Sequence, residues 1–491
     1  MRGSTNCEAV RIVRQFKLWE CRFLTEKFLE FSSNLVGEYE MEYKYDFDRV
    51  IDRRNTNSLK WNVAEHELPM WVADMDFATA PEIRAALQVR MDHGVFGYSD
   101  IPDAWYDAYM GWWKTRYHFE IQKDWLIFSA GVVASISSIV RKLTTPAEKV
   151  LVQSPCYNIF YNSILNNGRV PVENPLIYYA GGISDAKNLM SNRSKSMSAR
   201  DIDGKGQLAE SKKADESKVT DEVEVTGADK SVCENADFIH ACTGYGINWE
   251  LLERQLADPQ VSLMILCNPQ NPVGKIWSVE ELARIGQLCA DNHVIVLSDE
   301  IHCDLTDPGK SYHPFASVNE VCANNSITCI APTKSFNIAG LQTSAVVVPN
   351  PVLRHRVWRG LNTDEVAEPN AFAVEAAIAA YGQGGPWLDE LRAYLKGNKD
   401  LVKAFLAEHF PEITVQPCEA TYLMWLNCRA VADDVKQLCD FIRSDSGLYL
   451  AYGGQYGSGG EDFIRWNVAC PRSVLQDGLE RFKDSIKTYA L

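Results

Sequence analysis

The sequence has no long apolar run, no excess of basic residues and no cysteine pair at metal-binding spacing. Its 491 residues include 49 Lys and Arg against 65 Asp and Glu, which gives a formal net charge of −16. An acidic chain is poorly suited to nucleic acid or to an anionic membrane, and spanning a bilayer takes about eighteen consecutive apolar residues. We therefore expect neither nucleic acid nor a membrane as a partner.

The 14 cysteines are scattered from Cys7 to Cys470 without a C-x-x-C pair or a repeated spacing. A zinc site or a disulfide framework would impose such a spacing. We therefore predict no metal site. The thiols are expected to be reduced and to fill the core, in a reducing compartment such as the cytoplasm.

Two segments differ in composition from the rest. Residues 181–237 lack Phe, Tyr, Trp and Pro and are rich in Ser, Lys, Asp and Glu. Such a segment buries too little apolar surface to offset its ordering entropy, so we predict a disordered surface insertion. Residues 1–43 lack the apolar block of a secretory signal, and we interpret them as an amphipathic extension. An organelle leader is the alternative, because basic residues predominate at their start.

Short apolar runs recur elsewhere and predict buried strands. They are VLVQ (150–153), LMIL (263–266), VIVL (294–297), ITCIA (327–331) and AVVV (345–348). Runs that are apolar on both faces are typical of a parallel sheet covered by helices on both sides. Between the second and third runs, Ser278 and Glu281 have capping-box spacing ahead of a helical apolar pattern. This predicts a βαβ unit with its helix at 279–291.

Polar residues follow three of these predicted strands. Asn271 comes after the second run, Asp299 after the third and Lys334 after the fourth. Ligands of open α/β sheets bind beyond the carboxyl ends of the strands, so we expect these side chains to meet at one edge. An amine, a carboxylate and an amide match the needs of pyridoxal phosphate (PLP). The lysine forms a Schiff base, the carboxylate keeps the ring nitrogen protonated and the amide can bond the ring hydroxyl.

Longer motifs carry a family resemblance. They are YDFDRVIDRRNTNSLKW (45–61), MWVADMDF (70–77), HGVFGYSD (93–100), CNPQNPVGKIW (267–277), SDEIHCDL (298–305), APTKSFNIAGLQTSA (331–345) and FIRWNVACPR (463–472). The chain resembles the fold-type-I PLP enzymes of the aspartate aminotransferase superfamily. Within them it is similar to the MalY/PatB-type cystathionine β-lyases, or cysteine-S-conjugate β-lyases. The resemblance covers about residues 44–491 without 181–237.

The resemblance implies an α/β fold of the aspartate-aminotransferase type. Its large PLP-binding domain has a mostly parallel sheet, and a small α/β domain accompanies it. The implied division is an N-terminal extension (1–43), the N-terminal part of the small domain (44–90), the large domain (91–350), and a linker helix with the C-terminal small domain (351–491).

The resemblance also implies roles for residues around the cofactor ring. Lys334 would form the Schiff base and, once released, move protons as a general base and acid. Asp299 would pair with the ring nitrogen and Asn271 with the ring oxygen. His302 would lie near the same oxygen, and Tyr157 would stack on the ring.

Other residues are expected around the cofactor phosphate. The amides of Val132 and Val133 would begin a helix after Gly131 and form an anion site. The hydroxyl of Thr333 would add a donor. Many relatives carry an arginine eight residues after the lysine, whereas this chain, like the lyase branch, has Gln342.

Two further residues concern the neighbouring subunit and the substrate. Tyr98 resembles a tyrosine that reaches the phosphate of the neighbouring subunit, which implies a homodimer. Arg465 resembles the arginine that binds the α-carboxylate of an amino-acid substrate, because its planar fork matches both oxygens.

The site residues alone do not decide the reaction. Removal of the substrate Cα proton can be followed by loss of a thiolate from Cβ or by transamination. The resemblance favours β-elimination from cystathionine, cystine or another cysteine S-conjugate. An aminotransferase is the first alternative, and a lyase with an added regulatory partner, bound by the acidic surface or the insertion, is the second.

Overall fold

The computed structural model describes residues 44–179 and 244–489. The predicted extension (1–43) and the predicted insertion (181–237) lie entirely outside these ranges, and both interpretations stay predictions. From Phe47 onward the described residues belong to one compact unit. The proposed boundaries between a large and a small domain therefore also stay predictions.

Fifteen strands lie in the described ranges. They are β1 (Leu68–Pro69), β2 (Leu126–Ser129), β3 (Lys149–Val152), β4 (Val170–Glu173), β5 (Ile177–Tyr179), β6 (Gly244–Gly246), β7 (Val261–Cys267), β8 (Ile295–Asp299), β9 (Ser326–Ile330), β10 (Ser344–Val347), β11 (Thr414–Val415), β12 (Leu423–Asn427), β13 (Leu448–Tyr449), β14 (Ala451–Tyr452) and β15 (Phe463–Asn467).

Twelve α-helices accompany them in the same ranges. They are α1 (Pro81–His93), α2 (Asp103–Tyr117), α3 (Val132–Leu143), α4 (Ile159–Leu165), α5 (Trp249–Leu256), α6 (Val279–Asp291), α7 (Glu320–Asn324), α8 (Pro351–Thr363), α9 (Ala373–Gln383), α10 (Gly385–His409), α11 (Val435–Ser446) and α12 (Arg472–Tyr489).

The central sheet has seven strands in the order β2-β10-β9-β8-β7-β3-β4. All neighbours pair in parallel except β10, which is antiparallel to both β2 and β9. The mostly parallel sheet predicted from the apolar runs is confirmed. The run at 345–348 does form a strand, but its direction is reversed, which an apolar pattern alone cannot reveal.

Both faces of this sheet are covered, which explains why its strands are continuously apolar. Along β7, Leu263, Ile265 and Cys267 point into one core, whereas Met264 and Leu266 point into the other. Successive strand residues alternate between faces, so both sets must be apolar when both faces are buried. Helices α3, α4 and α8 cover the first face, and α5 and α6 cover the second.

The predicted βαβ unit is present as β7, α6 and β8. Helix α6 spans the predicted residues, and its start has both hydrogen bonds of the capping box between Ser278 and Glu281. Strands β7 and β8 pair in parallel, with Cys267 opposite Asp299. Residues that follow these two strands therefore leave the sheet at the same edge.

A four-stranded antiparallel sheet, ordered β11-β12-β15-β14, lies near the C-terminus. Its core includes Met424 and Trp466 from the sheet and residues of α10, α11 and α12. Leu68 and Met70 join this core, and β1 pairs with β13. Residues 68–70 thus pack with the C-terminal sheet.

The cysteines in the described ranges behave as expected. All ten are buried and free of disulfides, whereas Cys7, Cys21, Cys233 and Cys242 lie outside those ranges. Within residues 44–179 and 244–489, no group of three His, Cys, Asp or Glu side chains is placed to hold a metal ion. None of the helices there has the length and apolar character needed to cross a bilayer.

Replacing Gly274 by Ala should destabilise the protein more than replacing Gly309. Both glycines have positive φ, +70° and +82°, so both alanines cost about 1–2 kcal/mol of backbone strain. A Cβ at Gly274 would lie 2.9 Å from Cys418 Cα, whereas a Cβ at Gly309 would have no described atom within 4 Å. The crowding adds about 1–3 kcal/mol for Gly274→Ala only. Denaturant unfolding of both variants measures the difference, and equal losses would contradict the close approach.

Candidate active site

A cleft of about 310 Å³ lies at the carboxyl ends of β7, β8 and β9. The edge predicted to bind a ligand is therefore concave. Eight of the ten predicted site residues line it: Val132, Val133, Tyr157, Asn271, Asp299, His302, Thr333 and Lys334. The three strand-end residues singled out first from the sequence are thus brought together.

Lys334 follows β9 and carries an amine of reduced basicity. Its Nζ donates a hydrogen bond to the carbonyl oxygen of Ala73. Removal from solvent lowers the pKa of Lys334 to about 8, and the positive charge of Arg465 acts in the same direction. The carboxylates of Asp74 and Asp299 oppose this shift. A substantial fraction of the amine is therefore neutral near physiological pH.

Asp299, the last residue of β8, is a buried carboxyl group with 4% of its surface exposed. Burial raises its pKa to about 7, although the Ile301 amide at 3.2 Å and Lys334 favour the charged form. Such a group is ionised more readily when a cation lies beside it. A protonated ring nitrogen in the cleft would be such a cation.

His302 stands beside these residues as a neutral imidazole. Burial, followed by the positive charges of Lys334 and Arg465, lowers its pKa to about 3. Its Nδ1 is buried and has no hydrogen-bond partner among the described residues. Tyr157 is half-buried in the same cleft, and burial raises its pKa. The cleft therefore offers an unpartnered polar atom and an aromatic ring to a ligand.

The first turn of α3 faces the cleft through Val132 and Val133. None of the described side chains caps this helix at Gly131, and the first amides of a helix lack partners within it. These amides and the positive end of the helix dipole favour an anion. Thr333 also lines this cleft. Gln342, which stands where many relatives carry an arginine, lines it as well.

Arg465 on β15 approaches the cleft through Asn271. Its Nη1 donates to Asn271 Oδ1 at 3.3 Å, and its Nη2 donates to the Trp71 carbonyl at 2.9 Å. The guanidinium lies 4.5 Å from the centre of the Tyr456 ring. The side chain is 5% exposed, forms no ion pair with any described residue, and has a buried Nε without a partner. A buried cation without a counterion is unfavourable, so this position fits an anionic ligand.

Comparison with known proteins identifies the family. Residues 234–482 match the family model of aminotransferase class I and II. The chain belongs to this family. Cystathionine beta-lyase PatB of Bacillus subtilis (strain 168) is 36% identical over 447 residues, which cover 90% of this chain and 100% of the relative.

Two solved structures that are similar to this chain have the same fold. The PLP-bound putative aminotransferase of Clostridium difficile 630 is 31% identical with a TM-score of 0.75, covering 90% of this chain and 100% of its own. The PLP-bound C-S lyase of Staphylococcus hominis, in complex with L-cycloserine, is 28% identical with a TM-score of 0.74. The match covers 90% of this chain and 99% of that lyase. The expected aspartate-aminotransferase-type fold is confirmed.

Residues 70–77 contribute to the site in a way that sequence reasoning missed. Asn467 Nδ2, two residues after Arg465, donates to the carbonyls of Val72 and Asp74. Asn337, three residues after Lys334, exchanges hydrogen bonds with the Met75 backbone. Backbone acceptors leave no side-chain pattern, although the motif MWVADMDF marked the segment itself.

The two carboxylates of this segment, Asp74 and Asp76, have defined partners. Arg53 pairs with Asp74 and Asp76, each at 2.8 Å, and Lys60 pairs with Asp76 at 2.7 Å. Trp61 Nε1 also donates to Asp76 at 2.8 Å. These contacts fix the segment that receives the Lys334 hydrogen bond.

Tyr98 is the predicted site residue that the described chain does not bring to the cleft. Its side chain is fully exposed. Because its predicted role concerns the cofactor phosphate of a neighbouring subunit, that role stays a prediction.

Lys334 should react with an amine reagent at lower pH than surface lysines. In cofactor-free protein we expect acetic anhydride labelling of Lys334 to rise with a midpoint near pH 8, because the neutral amine is the nucleophile. Mass spectrometry of the peptide across a pH series measures this midpoint, with the exposed lysines of the same digest as references. A midpoint above pH 10 would exclude the reduced basicity.

Proposed function

We propose that the protein is a PLP-dependent carbon–sulfur β-lyase that cleaves cystathionine or another cysteine S-conjugate to a thiol, pyruvate and ammonia. One observation carries the proposal: an amine of reduced basicity and a buried carboxyl share a cleft beside Arg465, which has no counterion among the described residues. The names of PatB, a cystathionine beta-lyase, and of the Staphylococcus hominis C-S lyase support this choice of reaction.

The residues of the cleft fit PLP. Lys334 would hold its aldehyde carbon, Asp299 its ring nitrogen, and Asn271 or His302 its ring oxygen. The amides of Val132 and Val133, with the Thr333 hydroxyl, would hold its phosphate, and Tyr157 would pack on its ring. When bound, PLP supplies an electron-withdrawing ring that stabilises negative charge at the substrate Cα.

The chain itself supplies orientation and proton transfer. Arg465 would bind both oxygens of the substrate carboxylate, which fixes the position of Cα. The Lys334 amine, with its pKa lowered to about 8, can take the Cα proton near neutral pH and return a proton to the departing thiolate. Loss of that proton and of the thiolate from Cβ leaves an enamine acid, which water converts to pyruvate and ammonia.

Transamination is the second candidate. The Clostridium difficile structure, 31% identical to this chain, is described as a putative aminotransferase. The same lysine, carboxylate and arginine serve both reactions, because both begin with removal of the Cα proton. The two reactions differ in whether pyruvate forms without a keto-acid acceptor.

The expected homodimer and cytoplasmic location belong to this proposal. Tyr98 is fully exposed and free to reach another subunit. The buried, unbridged thiols of the described residues suit a reducing compartment. The substrate is a small-molecule amino acid, because Arg465 would bind its carboxylate.

Incubation with L-cystathionine and with S-alkyl cysteines should release pyruvate without any keto acid present. Lactate dehydrogenase and NADH measure the pyruvate, and a thiol reagent measures the other product. Heated protein and Lys334→Ala are the controls. If pyruvate is absent and an added keto acid is instead converted to its amino acid, transamination replaces elimination.

Arg465→Ala should raise the KM for amino-acid substrates about 100-fold, because a charge-assisted bidentate contact is lost. The KM of Arg465→Lys should fall between those of the wild type and Arg465→Ala, since lysine keeps the positive charge but cannot form the bidentate contact. The visible absorbance of bound cofactor should persist in both variants. An unchanged KM in Arg465→Ala would remove this residue from substrate binding.

A further inference from the structure

The carbonyl oxygen of Ala73 accepts hydrogen bonds from two side chains. One donor is the Nζ of Lys334. The other is the hydroxyl of Tyr422, at 2.9 Å. Tyr422 immediately precedes β12 and has no exposed surface. A backbone oxygen with two lone pairs thus joins the cleft lysine to a tyrosine that lies outside the cleft lining.

The Ala73 carbonyl is held in place by hydrogen bonds to the backbone of the residues before and after it. The carbonyls on either side of Ala73 accept from Asn467 at 2.5 and 2.7 Å. The Met75 backbone is bonded to Asn337 at 3.0 and 3.1 Å. The Tyr422 backbone oxygen, in turn, accepts from the Val468 amide at 3.0 Å. Neither the acceptor nor the second donor can move freely, so their contact is a fixed feature.

We propose that Tyr422 is a positioning residue for Lys334, acting through the Ala73 carbonyl. Two donors on one carbonyl oxygen compete for the same electron density. The Tyr422 hydroxyl therefore weakens the hydrogen bond between the Ala73 oxygen and a charged Lys334 amine. The amine then stays available as a base while its direction is fixed. The effect on catalysis rests on the proposed lyase function, whereas the effect on the amine itself does not.

The charges that face Lys334 are known from each neighbouring element. Asp74 and Asp299 favour its charged form, whereas Arg465 and burial favour the neutral form. His302 is neutral, because burial lowers its pKa to about 3. Burial raises the pKa of Tyr422, so this residue acts as a neutral donor. Removing its hydroxyl changes the acceptor of Lys334 without changing any of these charges.

Tyr422→Phe should therefore raise the labelling midpoint of Lys334 in cofactor-free protein by about half a pH unit. In the loaded enzyme, kcat should fall about threefold at neutral pH with KM within twofold, since substrate contacts are untouched. Tyr381→Phe is the matched control, because the buried Tyr381 hydroxyl has no partner among the described residues. It should leave the midpoint and the kinetics as they are.

Replacing Tyr422 by 3-fluorotyrosine tests the same contact in the opposite direction. The fluorinated phenol is a stronger donor of nearly the same size, so it should lower the Lys334 midpoint while keeping the fold. This second variant is decisive if Tyr422→Phe proves unstable in thermal unfolding. Opposite shifts in the two variants support the proposal, and a midpoint equal to wild type in either folded variant overturns it.

The labelling experiment separates this inference from the proposed reaction. Wild-type protein that releases no pyruvate would overturn the lyase function and leave the midpoint shifts unaffected. Conversely, active wild-type enzyme with unshifted variants would overturn only the role of Tyr422.

Discussion

The backbone of residues 70–77 is bonded from two sides, and the geometry of the site depends on this constraint. Asn337, three residues after Lys334, holds it from the loop after β9. Asn467, two residues after Arg465, holds it from the antiparallel sheet. A short segment without regular structure therefore sets how the lysine and the arginine stand relative to each other. Reactions that depend on near-contact geometry are sensitive to such placement.

The site concentrates charges that the protein alone leaves incompletely compensated. Asp299 has a raised pKa, Lys334 has a lowered pKa, and Arg465 has no ion pair with a described residue. Burying such groups without partners costs stability. By contrast, Arg53 and Lys60 nearby each form an ion pair, with Asp74 and Asp76 respectively. The three groups without full charge compensation lie in or beside the cleft, where a cofactor and an amino acid would supply the opposite charges.

Much of the fold and of the candidate site could be predicted from the sequence because the signals were local. The apolar runs located the strands, and the capping box located α6. Parallel strands end at a common edge, so Asn271, Asp299 and Lys334 had to lie near one another. The family motifs added Arg465 and Tyr157. The reversed direction of β10 was not predictable from its apolar pattern, since neighbouring strands determine it.

The sequence by itself determined the strand ends, the lysine and its carboxylate, because each depends on residues close together in the chain. Only the tertiary structure decided which backbone atoms complete the site. Ala73 lies 261 residues from Lys334 and 349 from Tyr422, yet its carbonyl joins them. Every residue has a backbone carbonyl of the same chemistry, so the role of the Ala73 carbonyl could not be predicted from residue type. The altered basicity of Lys334 likewise arises from burial and from charges on separate elements, which exist only in the folded chain.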